Sequence, residues 1–193
     1  MDEKNIFVIM PFSESPQRDQ NGLAKFFQEA FREPIETSDK LKYRYRVRQS
    51  DDSFDIRDQI HRDLYDADIV ICDLSGLVPN PNVMYELGVR LAISDKPVIL
   101  CRQKHDENKT VFDVSGLHTK YYDLWDYKGL SEYIIEKIRK FEYGEEDYKS
   151  PVHKAIENSP NLLQKIREEH ALQKIAACEF GTFSLMRIIS QYQ

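Results

Sequence analysis

Apolar segments that alternate with amphipathic ones, a core run "IVICD" with no polar residue before its last position, and a length of 193 residues predict an α/β protein. The expected architecture is an open, mostly parallel, five-stranded sheet with helices on both faces, followed by a C-terminal helical appendage. Parallel strands need long crossovers, and helices supply them.

The elements follow in order. "NIFVIMPF" is a continuous apolar run stopped at Pro11, the mark of a buried strand. "GLAKFFQEAFRE", residues 22–33, places Leu23, Phe26, Phe27, Ala30 and Phe31 on one helical face. In "KYRYRVRQ", Tyr43, Tyr45 and Val47 alternate with Arg44, Arg46 and Arg48, the period of a half-exposed strand; a protected edge with its arginines outward is favoured over a phosphate- or RNA-binding face. Within "DDSFDIRDQIHRDLYDAD", Ile56, Ile60 and Leu64 recur every four residues, as in a helix lying on a sheet. "DIVICDL" is a second central strand, "NPNVMYELGVRLA" a helix and "KPVILCR" a third strand. A polar loop, "DENKTVFDVSG", leads to a last strand "HTKYYDL" and a last helix "LSEYIIEKIRKF". This is a doubly wound order of the flavodoxin/Rossmann-like kind, in which ligands bind beyond the carboxyl ends of the strands.

Composition narrows the function classes. With 41% hydrophobic and 31% charged residues, the chain is too apolar for a disordered protein. A net charge of −6 makes a general nucleic-acid surface an unfavoured reading. No stretch approaches the ~18 apolar residues that a membrane helix needs, and the start reads as a strand instead of a signal peptide. The expectation is therefore a cytoplasmic protein without a membrane partner. The three cysteines, Cys72, Cys101 and Cys178, form neither a disulfide framework nor a zinc motif, and the five histidines lack metal-ligand spacing. No metal site is expected.

The segment after the second central strand carries the chemistry. Asp73 ends the strand, "LSGLVPNP" is a loop, and Asn80 or Asn82 caps a helix that begins at Pro81 or Val83. Val83, Leu87 and Leu91 step by four and face the sheet, and Glu86 lies beside that stripe. Gly88 permits close approach of a neighbouring element or ligand. The bland reading of Glu86 is a carboxylate at the positive end of the helix dipole, paired with Arg90 four residues on. Phe12 and Ser13, beyond the first strand, are placed to stack on a base and to bond a phosphate or hydroxyl; a strand-ending turn explains them equally well. Asp51 and Asp52 also follow a strand end.

"FVIMPF", "ADIVICDLSG", "NPNVMYELGVRLA", "KPVIL" and "FDVSG" resemble the nucleoside 2-deoxyribosyltransferase-like superfamily, whose fold is related to that of TIR domains; the match is to the bacterial "DLTGxNPNVxYELG" type over about residues 5 to 125. The resemblance implies that Glu86 is the catalytic carboxylate at the anomeric carbon of a ribosyl group. It implies that Asp73 contacts base or sugar, that Asn82 holds the loop and sugar, and that Ser75, Gly76 and Gly88 line the substrate site with Phe12 and Ser13. The small transferases carry a short "GTxxELG" loop, and the bulkier "NPNVMYELG" here shifts the expected substrate towards a nucleotide such as NAD, with bacterial antiviral defence as the setting. NAD would be a substrate, and no cofactor is expected.

Such a role fits the residue types. Breaking an N-glycosidic bond builds positive charge on the sugar, which a carboxylate stabilises or captures. A helix N-terminus is expected to keep Glu86 ionised at neutral pH. Asp73, if close by, would donate to the leaving base or orient a hydroxyl, and two neighbouring carboxylates would push their pKa values apart. The alternative from another class is a nucleotide-binding signalling module without catalysis, recruiting a protein partner through its C-terminal helices.

The α/β domain is expected over residues 1–142, with a linker and helical extension over 143–193. Ser159 and Pro160 read as a cap and first helical residue, and Leu163, Ile166, Phe180, Phe183 and Met186 follow rough helical spacing. An extension this apolar must bury its face, and a homo-oligomer is the expected assembly.

Overall fold

A computed structural model describes residues 3–11, 20–49, 56–76, 78, 80–104, 118–124, 126–162 and 164–169. Phe12, Ser13, Asp51, Asp52, the "FDVSG" segment and the positions beyond 169 lie outside the described residues. The strands are β1 (Glu3–Ile9), β2 (Arg44–Gln49), β3 (Ile69–Asp73), β4 (Val98–Gln103) and β5 (Thr119–Tyr122). They form one five-stranded sheet in the order β2-β1-β3-β4-β5, and every pairing is parallel. The order reverses between β1 and β3, which defines a flavodoxin-like switch point there.

Alternation along the strands builds two cores. Ile6, Val8, Val47, Ile71, Ile99 and Cys101 pack with Phe26, Phe31, Ile134 and Ile138 on one face, beneath α5 (Tyr127–Glu142). Phe7, Ile9, Val70 and Cys72 fall on the opposite face by the two-residue period. There α3 (Ile56–Asp66) and α4 (Pro81–Ile93) bury Leu64, Val83, Leu87 and Leu91. Each fully buried Leu, Ile or Phe contributes about 1.5–3 kcal/mol of hydrophobic stabilisation. As the alternation predicts, β2 is an edge strand with Tyr45 and Val47 buried and Arg44, Arg46 and Arg48 exposed; Arg48 pairs with Asp63 at 3.2 Å.

The first helical segment differs from expectation. It runs as α1 (Gln20–Phe26), a π-helical stretch (Phe27–Arg32) and a short α2 (Glu33–Glu36). Pro34 has no N–H, so the Ala30 carbonyl four residues back loses its ordinary α-helical donor. Ser131 Oγ of α5 lies 2.8 Å from that carbonyl and 2.7 Å from the Tyr127 carbonyl, with one proton to share between them, and the widened turn still buries Phe27, Ala30 and Phe31.

By internal contacts the chain divides into two units, residues 1–150 and 151–193. In the first, residues 143–150 are tied back by Arg139 to Glu145 at 2.7 Å, by Lys137 to Glu146 and by the Ser150 hydroxyl to the Leu91 carbonyl. In the second, α6 spans Pro151–Glu157, and a further helical stretch begins at Pro160, as its cap pattern predicts. Among the described residues no helix is long and apolar enough to cross a membrane.

Candidate active site

The candidate residues lie at and beyond the carboxyl end of β3. All five residues of β3 are buried, and Leu74 N–H continues the strand by donating to the Cys101 carbonyl at 2.8 Å. The chain then turns at Gly76, whose φ of 119° suits glycine alone; a Cβ there would also stand 3.1 Å from the Val78 carbonyl oxygen. Arg102 Nη2 donates to the Gly76 carbonyl at 3.1 Å and holds the loop against β4. Of the two asparagines, Asn80 is the cap: its side chain accepts from Asn82 N–H at 2.8 Å, and Pro81 is the first helical residue. Asn82 itself is exposed in the first turn.

On α4 the sheet-facing stripe is Val83, Leu87, Arg90 and Leu91. Glu86, three residues after Val83 and four before Arg90, falls on that stripe, where helical spacing would otherwise place an apolar residue. It is partly buried, and burial pushes its carboxyl from the ordinary value of 4.5 up to about 7. Two expectations are thereby corrected. The helix N-terminus does not keep Glu86 ionised, because the carboxylate sits in the second turn, beyond the dipole's main reach, and desolvation outweighs it. Nor does a second carboxylate raise its pKa, since burial alone is the cause.

The bland pairing is also absent. Arg90 is wholly buried and turns away from Glu86: Nη1 donates to the Leu64 carbonyl and, at 3.0 Å, to the Ala67 carbonyl. It caps the last turn of α3, where carbonyls lack intrahelical donors.

Asp73 lies at the same strand end but on the other face. By alternation it shares the α5 side with Ile69 and Ile71, whereas Cys72 faces α4. The Cys72 thiol is pushed up first by burial, then by the Asp73 and Glu86 charges, so both carboxylates flank this one residue. Asp73 is 1% exposed. Its Oδ2 accepts from the Tyr122 hydroxyl at 3.0 Å, and its Oδ1 accepts from Ser75 N–H at 3.1 Å and from the Ser75 hydroxyl. Ser75 Oγ in turn lies 3.0 Å from the Tyr122 hydroxyl and accepts from Gln103 N–H at 2.7 Å. The groups of Asp73 and Ser75 thus bind one another and the neighbouring strand ends.

Gly88 is exposed, and an added Cβ would meet nothing within 4 Å. Among the described residues, no neighbouring element makes the close approach expected there. Sequence context marks Arg102 only as a strand end before a ligand-side loop and gives Tyr122 no role; a tyrosine at the end of a predicted strand is the available signal. Among the described residues no cluster of His, Cys, Asp or Glu is arranged to hold a metal ion.

Strand order and switch point define a doubly wound α/β protein whose α4 carries a partly buried carboxylate, Glu86. No protein-family model matches the chain, and no curated protein sequence matches it. Among solved structures it is similar to a 2-desoxiribosyltransferase from Leishmania mexicana, at 18% identity and a TM-score of 0.46, over 69% of this chain and 97% of that one. The fold is read from strand order and pairing, independently of that likeness.

Proposed function

We propose that the chain is an enzyme that cleaves the N-glycosidic bond of a nucleoside or nucleotide, with NAD the favoured substrate and Glu86 the residue that meets C1′. One observation carries this reading. A carboxylate occupies an apolar-stripe position at the carboxyl end of β3, partly open to solvent, with burial raising its pKa to about 7 and its nearest helical cation engaged elsewhere. Such a group is stored in a desolvated state, where it interacts strongly with charge developing on a sugar.

In the proposed reaction the C1′–N bond breaks and the base leaves with the bonding pair: the nicotinamide of NAD, a pyridinium while attached, departs neutral and needs no proton, whereas the base of a neutral nucleoside leaves as an anion and takes a proton from water. Ionised Glu86 stabilises the oxocarbenium-like sugar or forms an ester with C1′, which water or a second acceptor then attacks, releasing Glu86. Asp73, held by Tyr122 and Ser75, shapes the loop between β3 and α4 in this scheme. Assembly into a homo-oligomer and a setting in bacterial defence belong to the same proposal through the sequence resemblance.

The test is incubation of the purified protein with NAD and a panel of nucleosides, reading released base, beside Glu86→Gln. The enzyme loses at least ~10³-fold in turnover on substitution while keeping its fold and much of its ligand affinity. Ligand binding with no base release from the unmodified protein would favour the signalling module instead.

A further inference from the structure

Arg90 is a cation on the sheet-facing stripe of α4. It is wholly buried, burial lowers its pKa to about 10, and among the described residues its Nε and Nη2 are buried without a hydrogen-bond partner, as is the nearby Tyr148 hydroxyl. A buried, incompletely satisfied guanidinium is commonly no more stable than a well-packed apolar side chain of similar volume. Local inconsistencies of this sort concentrate at functional positions.

Its geometry suggests what it does. Arg90 lies one helical turn beyond Glu86 on the same face of α4, and Nη1 grips two carbonyls at the end of α3, those of Leu64 and Ala67. That grip fixes the rotation of α4 about its own axis, and Glu86 turns with the helix. It also holds the cation away from the carboxylate four residues earlier, the partner it would otherwise take.

We propose that Arg90 is a positioning residue for Glu86, holding α4 so that the carboxylate faces the crevice and withholding its own charge from it. This rests on the role proposed for Glu86. Cys72 of β3 lies near Glu86, with Asp73 on the other side of that residue, and on α3 His61 is engaged by the Tyr85 hydroxyl at 3.1 Å. Around Arg90 lie Asp68 and Tyr148, with Asp95 beside Tyr148. All of these remain in the variants below.

The test is a carbon-13 NMR titration of the Glu86 carboxyl in the full-length protein, in Arg90→Lys and in Arg90→Met, with thermal unfolding alongside. A lysine ammonium is not tied to two carbonyls at once and is free to reach Glu86, while methionine releases the helix and lets water in. Either change lowers the Glu86 midpoint by about one pH unit or more. Arg90→Met also takes its donor from the Leu64 and Ala67 carbonyls, and the melting temperature reads that loss separately from the titration. If Glu86 titrates at the same pH in all three proteins, or in the ordinary carboxylate range in the unmodified one, Arg90 only fills space and the proposal fails, whatever happens to stability. The titration uses no substrate, so an absence of base release refutes the enzymatic reading without touching this result.

Discussion

The Tyr122 hydroxyl donates to Asp73 Oδ2 at 3.0 Å, joining the ends of β5 and β3 across the intervening β4. Tyr122 is 2% exposed and stacks on Phe26 with ring centroids 5.7 Å apart, so the ring is clamped and the hydroxyl has a fixed aim. Through it and Ser75, the loop that delivers Glu86 is anchored on three strands.

Tyr122→Phe keeps the stack and removes the hydroxyl that donates to the buried Asp73 Oδ2. Losing one donor to a buried acceptor costs about 1–3 kcal/mol. For a chain of this size each kcal/mol lowers Tm by roughly 2–4 °C. Thermal unfolding reads this directly; an unchanged Tm would mean that the bond adds nothing to the anchoring.

Gly76→Ala challenges the same loop from its other side. The φ of 119° is disfavoured for any L side chain, and the new Cβ would stand 3.1 Å from a backbone oxygen that has no rotamer to escape into. The expected cost is about 1–3 kcal/mol. Because the Gly76 carbonyl also receives Arg102, the loop shifts as a unit, and base release should fall together with Tm. Retention of full activity would show that this turn does not govern the site.

What the sequence could show follows from range. Strands and helices were legible because Ile6 to Ile9, the Tyr45 and Val47 alternation and the Val83, Leu87, Leu91 stripe are local periodicities. Glu86 stood out for the same reason, as a carboxylate at the edge of an apolar stripe. The partners of Arg90 lie 26 and 23 residues away and that of Tyr122 lies 49 away; spacing within one helix suggested Glu86 for Arg90 because no local rule sees across elements. The π-helical turn escaped for a related reason: Pro34 removes a donor, but the Ser131 hydroxyl that packs against the freed Ala30 carbonyl comes from 101 residues further on.

Glu86 also makes stability depend on pH, with a sign opposite to that of most carboxylates. Its folded-state value of about 7 lies above the ordinary 4.5, so between those values the folded chain binds more protons than the unfolded one. Stability then falls as pH rises through that window and levels off above it. At pH 8 the buried charge costs up to about 3 kcal/mol by the pKa difference, less whatever solvent at its exposed edge screens. Glu86→Gln removes a cost that exists only when the group is ionised. The variant should melt several degrees higher than the unmodified protein at pH 8 and within a degree or two of it at pH 5. Base release in the unmodified protein should rise with a midpoint near pH 7, because the ionised form does the chemistry. Equal melting temperatures for the two proteins at both pH values would mean that Glu86 is well solvated, and the desolvated carboxylate on which the proposed chemistry depends would be lost.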